Sequence, residues 1–283
     1  VYGFDPLGYT NSNVSVQEFT TARLDFDLTD AHRLTLNYKE VDSSKLNGAN
    51  NSSRTMTFSS AEYQKGEITE TTGMLLVSNW SDDFITEVSF STKEQITSQM
   101  SPVGQALPFF QINDCGSQGI RCELGPDVSR HANDLATETT FAKIKGTYYM
   151  GNHKLTFGYE NKLWDIYNVY LEAQDGAYEF EGITNYQAQV ASTFEYSNSR
   201  DLTQLGAAAA FEYYLDSFYI QDEIDISEKL NVLVGVRYDE FDSDDSPALN
   251  QGFLDTYGFA NGCIAGTNLR NYRLSFDYEI DEV

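Results

Sequence analysis

Apolar and polar residues alternate along this chain in about nine stretches with a period of two. Leu24, Phe26 and Leu28 alternate with Arg23, Asp25 and Asp27. Leu230, Val232, Val234, Val236 and Tyr238 alternate with Asn231, Gly235, Arg237 and Asp239. Leu274, Phe276, Tyr278 and Ile280 alternate with Arg273, Ser275, Asp277 and Glu279. A period of two predicts strands with one greasy face and one wet, charged face. The predicted strands fall near 16–28, 34–38, 68–78, 84–90, 139–149, 155–159, 218–226, 230–241 and 270–280.

The connections are lopsided. Those after the first, third, fifth and seventh strands are tight; Gly151-Asn152 has hairpin composition. Those after the second, fourth, sixth and eighth run near 42–66, 97–135, 165–210 and 242–269. Structureless loops of that length argue against a compact soluble domain. They suit an outer-membrane β-barrel, with long loops outside and tight turns on the periplasmic side. The predicted fold class is all-β: an antiparallel, up-and-down transmembrane β-barrel wall. Its apolar side faces lipid and its charged side faces an enclosed lumen.

Two places break the pattern. Met74-Leu75-Leu76-Val77 is apolar on both faces, which predicts that its inner side packs against another element such as a plug. Asp222 shares parity with Ile220 and Ile224 on the lipid side. A charge there costs up to roughly 2–4 kcal/mol at mid-membrane, less for an acid. Asp222 is therefore expected either close to the periplasmic interface or turned inward by a bulge. Nine strands do not make an even-numbered bacterial barrel, and open edges are not tolerated in lipid. The chain opens without a start methionine or signal peptide. It reads as part of a longer wall.

Charge and composition sharpen this picture. Asp and Glu number 43 against 18 Lys and Arg, a net charge of -25. That balance opposes nucleic acid as a partner, because phosphate contacts need Lys and Arg. It suits a solvated acidic surface, or one that meets cations and cation-bridged lipopolysaccharide. No run of about 18 apolar residues forms a membrane helix, which a β-barrel does not need. Cys115 and Cys122 share one loop and are candidates for a local disulfide in an oxidising compartment. Two thiols without an adjacent His make a poorer metal site. Cys263 is left over.

Four stretches carry a family resemblance. Phe218-Tyr219-Ile220-Gln221-Asp222-Glu223, followed by Leu230-Asn231-Val232-Leu233-Val234-Gly235-Val236-Arg237-Tyr238-Asp239, resembles the barrel motif of TonB-dependent outer-membrane receptors. His153-Lys154-Leu155-Thr156-Phe157-Gly158-Tyr159-Glu160 is similar to another of that family's strands. Arg23-Leu24-Asp25-Phe26 with His32-Arg33-Leu34-Thr35-Leu36 is similar to its hairpin. Asp165 to Asn168 with Gly176-Ala177-Tyr178-Glu179-Phe180 resembles the Oar-like branch. Ile224 stands where the family commonly has Trp. The resemblance implies a plugged barrel of about 22 strands. It also implies a plug domain and further barrel strands outside this chain, a TonB complex as energy source, and import of a scarce, bulky solute.

Candidate chemistry is sparse. His32 and His153 sit beside predicted turns, and neither they nor His131 belongs to a nucleophile, phosphate-loop or metalloprotease motif. No enzyme and no cofactor are expected. Asp239, Glu240, Asp242, Asp244 and Asp245 form an acidic run, and Asp242, Asp244 and Asp245 are a weak Ca²⁺ candidate lacking the Gly and closing Glu of an EF-hand. A solvated loop is the plainer reading. Arg23, Asp25, Asp27, Lys143, Lys145, Arg237, Asp239, Arg273 and Asp277 are predicted to face the lumen. Loop aromatics are the candidate solute contacts: Phe109, Phe110, Tyr167, Tyr170, Tyr178, Phe180, Tyr186 and Phe194. For any one of them, packing between loops is the plainer role. The expected location is the bacterial outer membrane, with lipid and lipopolysaccharide as neighbours. Competing readings are a passive porin, an adhesin-like barrel, or a secreted glycan-binding β-sandwich. Siderophore, glycan, cobalamin and peptide all remain open as solutes.

Overall fold

The computed structural model describes residues 3, 5–9, 14–48, 51–104, 106–116, 119–262 and 265–280; Cys263 lies outside them. In chain order the strands are β1 (Ser15–Thr29), β2 (His32–Asn47), β3 (Thr55–Thr57), β4 (Tyr63–Asn79), β5 (Phe84–Met100), β6 (Phe109–Asn113) and β7 (Arg121–Leu124). They continue with β8 (Ala132–Met150), β9 (His153–Leu171), β10 (Ala177–Glu181), β11 (Thr193–Glu195), β12 (Ala209–Ser227), β13 (Leu230–Asp242) and β14 (Thr267–Tyr278). Three short helices interrupt the connections: α1 (Gly182–Ala188), α2 (Gln204–Ala207) and α3 (Gln251–Tyr257).

Nine strands form one sheet in the order β1-β2-β4-β5-β8-β9-β12-β13-β14, each antiparallel to its neighbours. This is the predicted up-and-down wall. Its ladders carry one residue set from strand to strand on each face. On one face Phe26 pairs with Leu34, Leu34 with Leu76, Leu76 with Val88, Val88 with Ile144, Ile144 with Tyr159 and Tyr159 with Phe218. Among the described residues no second sheet covers this face: Leu24 is 57 % exposed and Phe276 73 % exposed. A soluble sandwich would bury them. The wall therefore turns its apolar side outward, toward hydrocarbon.

The strands run further than their alternation indicates. β5 continues to Met100, and β9 to Leu171. Above the lipid both faces meet water, so the period-two signal fades while the hydrogen-bond ladder continues. Outward positions there turn acidic in register. Glu40 pairs with Glu70, Glu70 with Glu94, Glu94 with Glu138, Glu138 with Asp165, and Asp165 with Glu212. Like charges directly opposite one another oppose pairing, and acids do not belong in hydrocarbon. This row marks wall that has left the lipid.

Asp222 takes the first of its two expected solutions. The β12–β13 ladder is unbroken from Tyr214 to Asp225, so no bulge turns Asp222 inward. Its carboxylate lies 2.8 Å from Nδ1 of His153, beside the Gly151-Asn152 turn. Leu75 and Val77 are cross-strand from Thr35 and Arg33, on the inward face, as the doubly apolar run requires.

The long connections were expected to be irregular, and here the fold departs from the sequence pattern. Strands from three of them make a second sheet in the order β11-β10-β6-β7-β3, with β6 parallel to β10 and β3 parallel to β7. These strands have three to five residues, too short for alternation to register. The sheet holds the buried cluster Phe110, Ile112, Cys122, Leu124 and Phe180.

Candidate functional site

The inward face of the wall is built from the charged parity of each strand. Arg23, Asp25 and Asp27 on β1 pair with Asn37, Thr35 and Arg33 on β2. Lys143 and Lys145 on β8 pair with Glu160 and Gly158 on β9, and Arg237 and Asp239 on β13 with Tyr219 and Ser217 on β12. Arg273 and Asp277 on β14 pair with Gly235 and Asn231. Successive ladders put all nine positions on one side of the sheet.

Cations on this side are held by acids on their own strand and on other strands. Arg237 bridges Glu160 at 3.1 Å and Asp239 at 2.8 Å, and Asp239 also accepts from Ser217 Oγ at 2.6 Å and Asn271 Nδ2 at 3.2 Å. Lys145 meets Glu87 at 2.6 Å, and Arg23 meets Asp25 at 2.9 Å. Tyr219 lies over Gly158, where a Cβ would stand 2.4 Å from the phenol oxygen. Any larger residue there would displace the ring beside Arg237.

Above this face the second sheet is pinned to the wall. Ser101 Oγ donates to Ser60 O at 3.0 Å, and Gly125 N donates to Ser60 Oγ at 2.9 Å. Gly125 has φ +85°, and a Cβ there would meet Pro108 O at 2.3 Å, so only glycine fits. Arg130 stacks its guanidinium 4.2 Å from the Tyr63 ring centroid and donates to Gln99. A polar cavity of about 320 Å³ opens between sheet and wall, lined by Lys45, Tyr63, Thr57, Phe109, Glu123 and Arg130 among others.

The sheet's two faces differ. One carries its apolar core. The other carries planar polar groups, with Gln111 and Asn113 donating to Glu179 at 2.9 Å and 2.7 Å, and Asn113 to Glu181 at 3.0 Å. Cys115 and Cys122 are joined as a disulfide, with Cα atoms 5.9 Å apart. It ties β7 back to the end of β6.

The eight loop aromatics are divided by this arrangement. Phe110 and Phe180, 0 % and 1 % exposed, hold the sheet together from within. Tyr178 stacks on Phe110 at 5.8 Å, and Tyr186 packs edge-on to Phe180 at 5.3 Å. Both tyrosines are half-buried. Phe109 lines the polar cavity. Phe194 stays 55 % exposed beside Tyr178 and Tyr196. Tyr170 is exposed and donates to Ser129 Oγ at 3.3 Å and to Glu172. Those bonds from the Tyr170 and Ser129 hydroxyls hold the Glu172 carboxyl below the ordinary range. Tyr167 shares the outward parity, across from Ala136 and Ala210.

The Ca²⁺ candidate does not assemble. Asp245 Oδ2 accepts from Glu212 N at 2.7 Å and Asp242 Oδ1 from Ser243 N at 2.9 Å, so one oxygen of each carboxylate serves the loop backbone. Among the described residues no group of three or more His, Cys, Asp or Glu, Asp244 included, is placed to hold a metal ion.

Two features escaped the sequence pattern. His131 is 1 % exposed, and its Nδ1 accepts from Asp175 N at 3.2 Å. It joins the loop before β8 to the loop after β9. Burial lowers the imidazole pKa and raises that of the Asp175 carboxyl. The second feature is an aromatic series on the inward parity. Trp164 stacks on Tyr213 at 4.5 Å with planes 12° apart, and Phe211 follows 6.3 Å further on. Parity with Glu160 and Ser217 was the available signal.

Comparison with known proteins agrees with this geometry. The pattern of the outer membrane beta barrel domain matches residues 6–268. The chain belongs to that family. This outer-membrane barrel wall resembles, in fold, the ferric-catecholate import receptor Fiu from Escherichia coli K12 in its closed form. The TM-score is 0.59 at 14 % identity, covering 94 % of this chain and 42 % of Fiu. It also resembles the outer membrane transporter YddB from Escherichia coli, with TM-score 0.57 at 14 % identity, covering 83 % of this chain and 29 % of YddB. The chain thus spans less than half the length of either. No curated protein matches the sequence. Its place is the bacterial outer membrane, which it crosses with strands.

Proposed function

We propose that this barrel wall belongs to an energy-coupled importer, the TonB-dependent class that its strand motifs resemble. In this reading the outer loops bind a scarce, bulky solute and the inward face surrounds a plug within a barrel of about 22 strands. Force from a TonB complex then moves the plug. The chain supplies wall, rim and binding surface rather than catalysis. The observation that carries the reading is the folded sheet made from three long loops over the charged inward face. Loops that only fringe an open pore have no need of a shared core. Fiu and YddB, which resemble the chain in fold, support the reading.

Planar-bilayer conductance of the full-length protein separates the alternatives. An importer with a plug stays closed in KCl, and purified periplasmic TonB domain binds it. A steady ohmic conductance without any TonB interaction would establish a passive porin instead.

A further inference from the structure

The grooves along Leu24 and Met74, and along Phe157 and Phe218, lie on the outward face and are filled by acyl chains in a membrane. An apolar cavity lies at the rim of the wall. It has a volume of about 510 Å³ and sits where the top of β12 meets the loop after β13. Phe211 and Tyr213 form its aromatic wall, with Pro247 opposite, and Ser243, Asp245 and Ser246 supply polar groups. Trp164 backs Tyr213. The cavity is built: Ser243 Oγ donates to Glu212 O, and Glu212 N donates to Asp245, so the loop is fastened to β12. A cavity of this size, mostly apolar with a few fixed polar groups, has the form of a small-molecule site.

Its electrostatics select the occupant. Among the described residues that line it there is no Lys or Arg. Asp245 supplies the carboxylate of the lining, with its Oδ2 on Glu212 N. Lys162, on the inward parity of β9, holds its ammonium 5.3 Å from the Phe141 ring centroid. Aromatic rings attract cations through their quadrupole, and the Asp245 carboxylate repels anions. We infer that this cavity binds a small organic cation of the alkylammonium class, held against the aromatic wall of Phe211 and Tyr213 with Asp245 at its edge. The site goes beyond the importer reading and does not depend on it.

Titration calorimetry on the full-length protein in detergent tests this with choline and its neutral carbon isostere, 3,3-dimethylbutan-1-ol. Choline is expected to bind, and the isostere roughly 10-fold or more weakly. Phe211→Leu and Tyr213→Leu keep apolar bulk but lose the ring, and each should weaken choline about 5-fold or more. Asp245→Asn should weaken it without affecting the isostere, while Tyr257→Leu on α3 should change neither. No heat with choline, equal binding of the isostere, or unchanged affinity in Phe211→Leu and Asp245→Asn would each overturn the proposal. Because binding is read without transport, failure here leaves the importer reading standing.

Discussion

Single side chains decide whether the loops have a fold. Phe110 contributes the centre of the small sheet's core and touches aromatics from one other strand, β10, and from α1. Phe110→Ala should cost about 3–5 kcal/mol, the usual range for a buried Phe. The loss falls on a local unit, so limited proteolysis should cut the loops while the wall stays folded and heat-modifiable on gels. His131 gives the loops a pH dependence with a definite sign. Its native pKa is depressed, so the unfolded chain binds the proton first, and stability falls as pH drops below the ordinary 6.5. Asp175 acts oppositely and lower: its raised pKa adds stability as pH falls toward 3.8. Hydrogen exchange at the Asp175 amide should quicken as pH falls from 6.5 to 5.5, relative to the intrinsic rate. His131→Gln, which cannot charge, should flatten that change.

At the scale of strands, alternation was informative wherever lipid touched the wall. Leu230 to Tyr238 and Arg273 to Ile280 could be assigned a face from the sequence because hydrocarbon and water impose opposite demands on neighbouring residues. The signal ended where that contrast ended, so the upper parts of β5, β9 and β12 were invisible. β3 and β11 offered only three residues each, and β3's parallel partner β7 comes from a distant loop. No local pattern encodes such a pairing. The inward charges were legible by parity. The aromatic series Trp164, Tyr213 and Phe211 carried the same parity but lay in segments that looked like loop. The in-register acids of the upper wall make a further prediction. Glu70→Gln or Glu94→Gln removes a like-charge pair on each side, and each should stabilise the wall by about 0.2–1 kcal/mol per pair relieved. Equilibrium unfolding in urea from detergent micelles would show it, with the gain shrinking in high salt.

For the molecule as a whole, two bodies of different character share one chain. The wall is held by ladders and lipid, and among the described residues it forms no buried apolar cluster of its own. The loop sheet is a small aqueous core stapled by Cys115 and Cys122. Calorimetry should resolve two transitions, with the loop sheet melting first. Cys115→Ser with Cys122→Ser should lower only the first, by roughly 2–3 kcal/mol for so short a closed loop. The parallel pairing of β6 with β10 and β3 with β7 has a consequence for how the cell is seen from outside. A surface woven from three separate stretches of sequence is a discontinuous epitope. Antibodies raised against a peptide from any one stretch should miss the native protein, whereas those raised against intact cells should fail to recognise the same peptides.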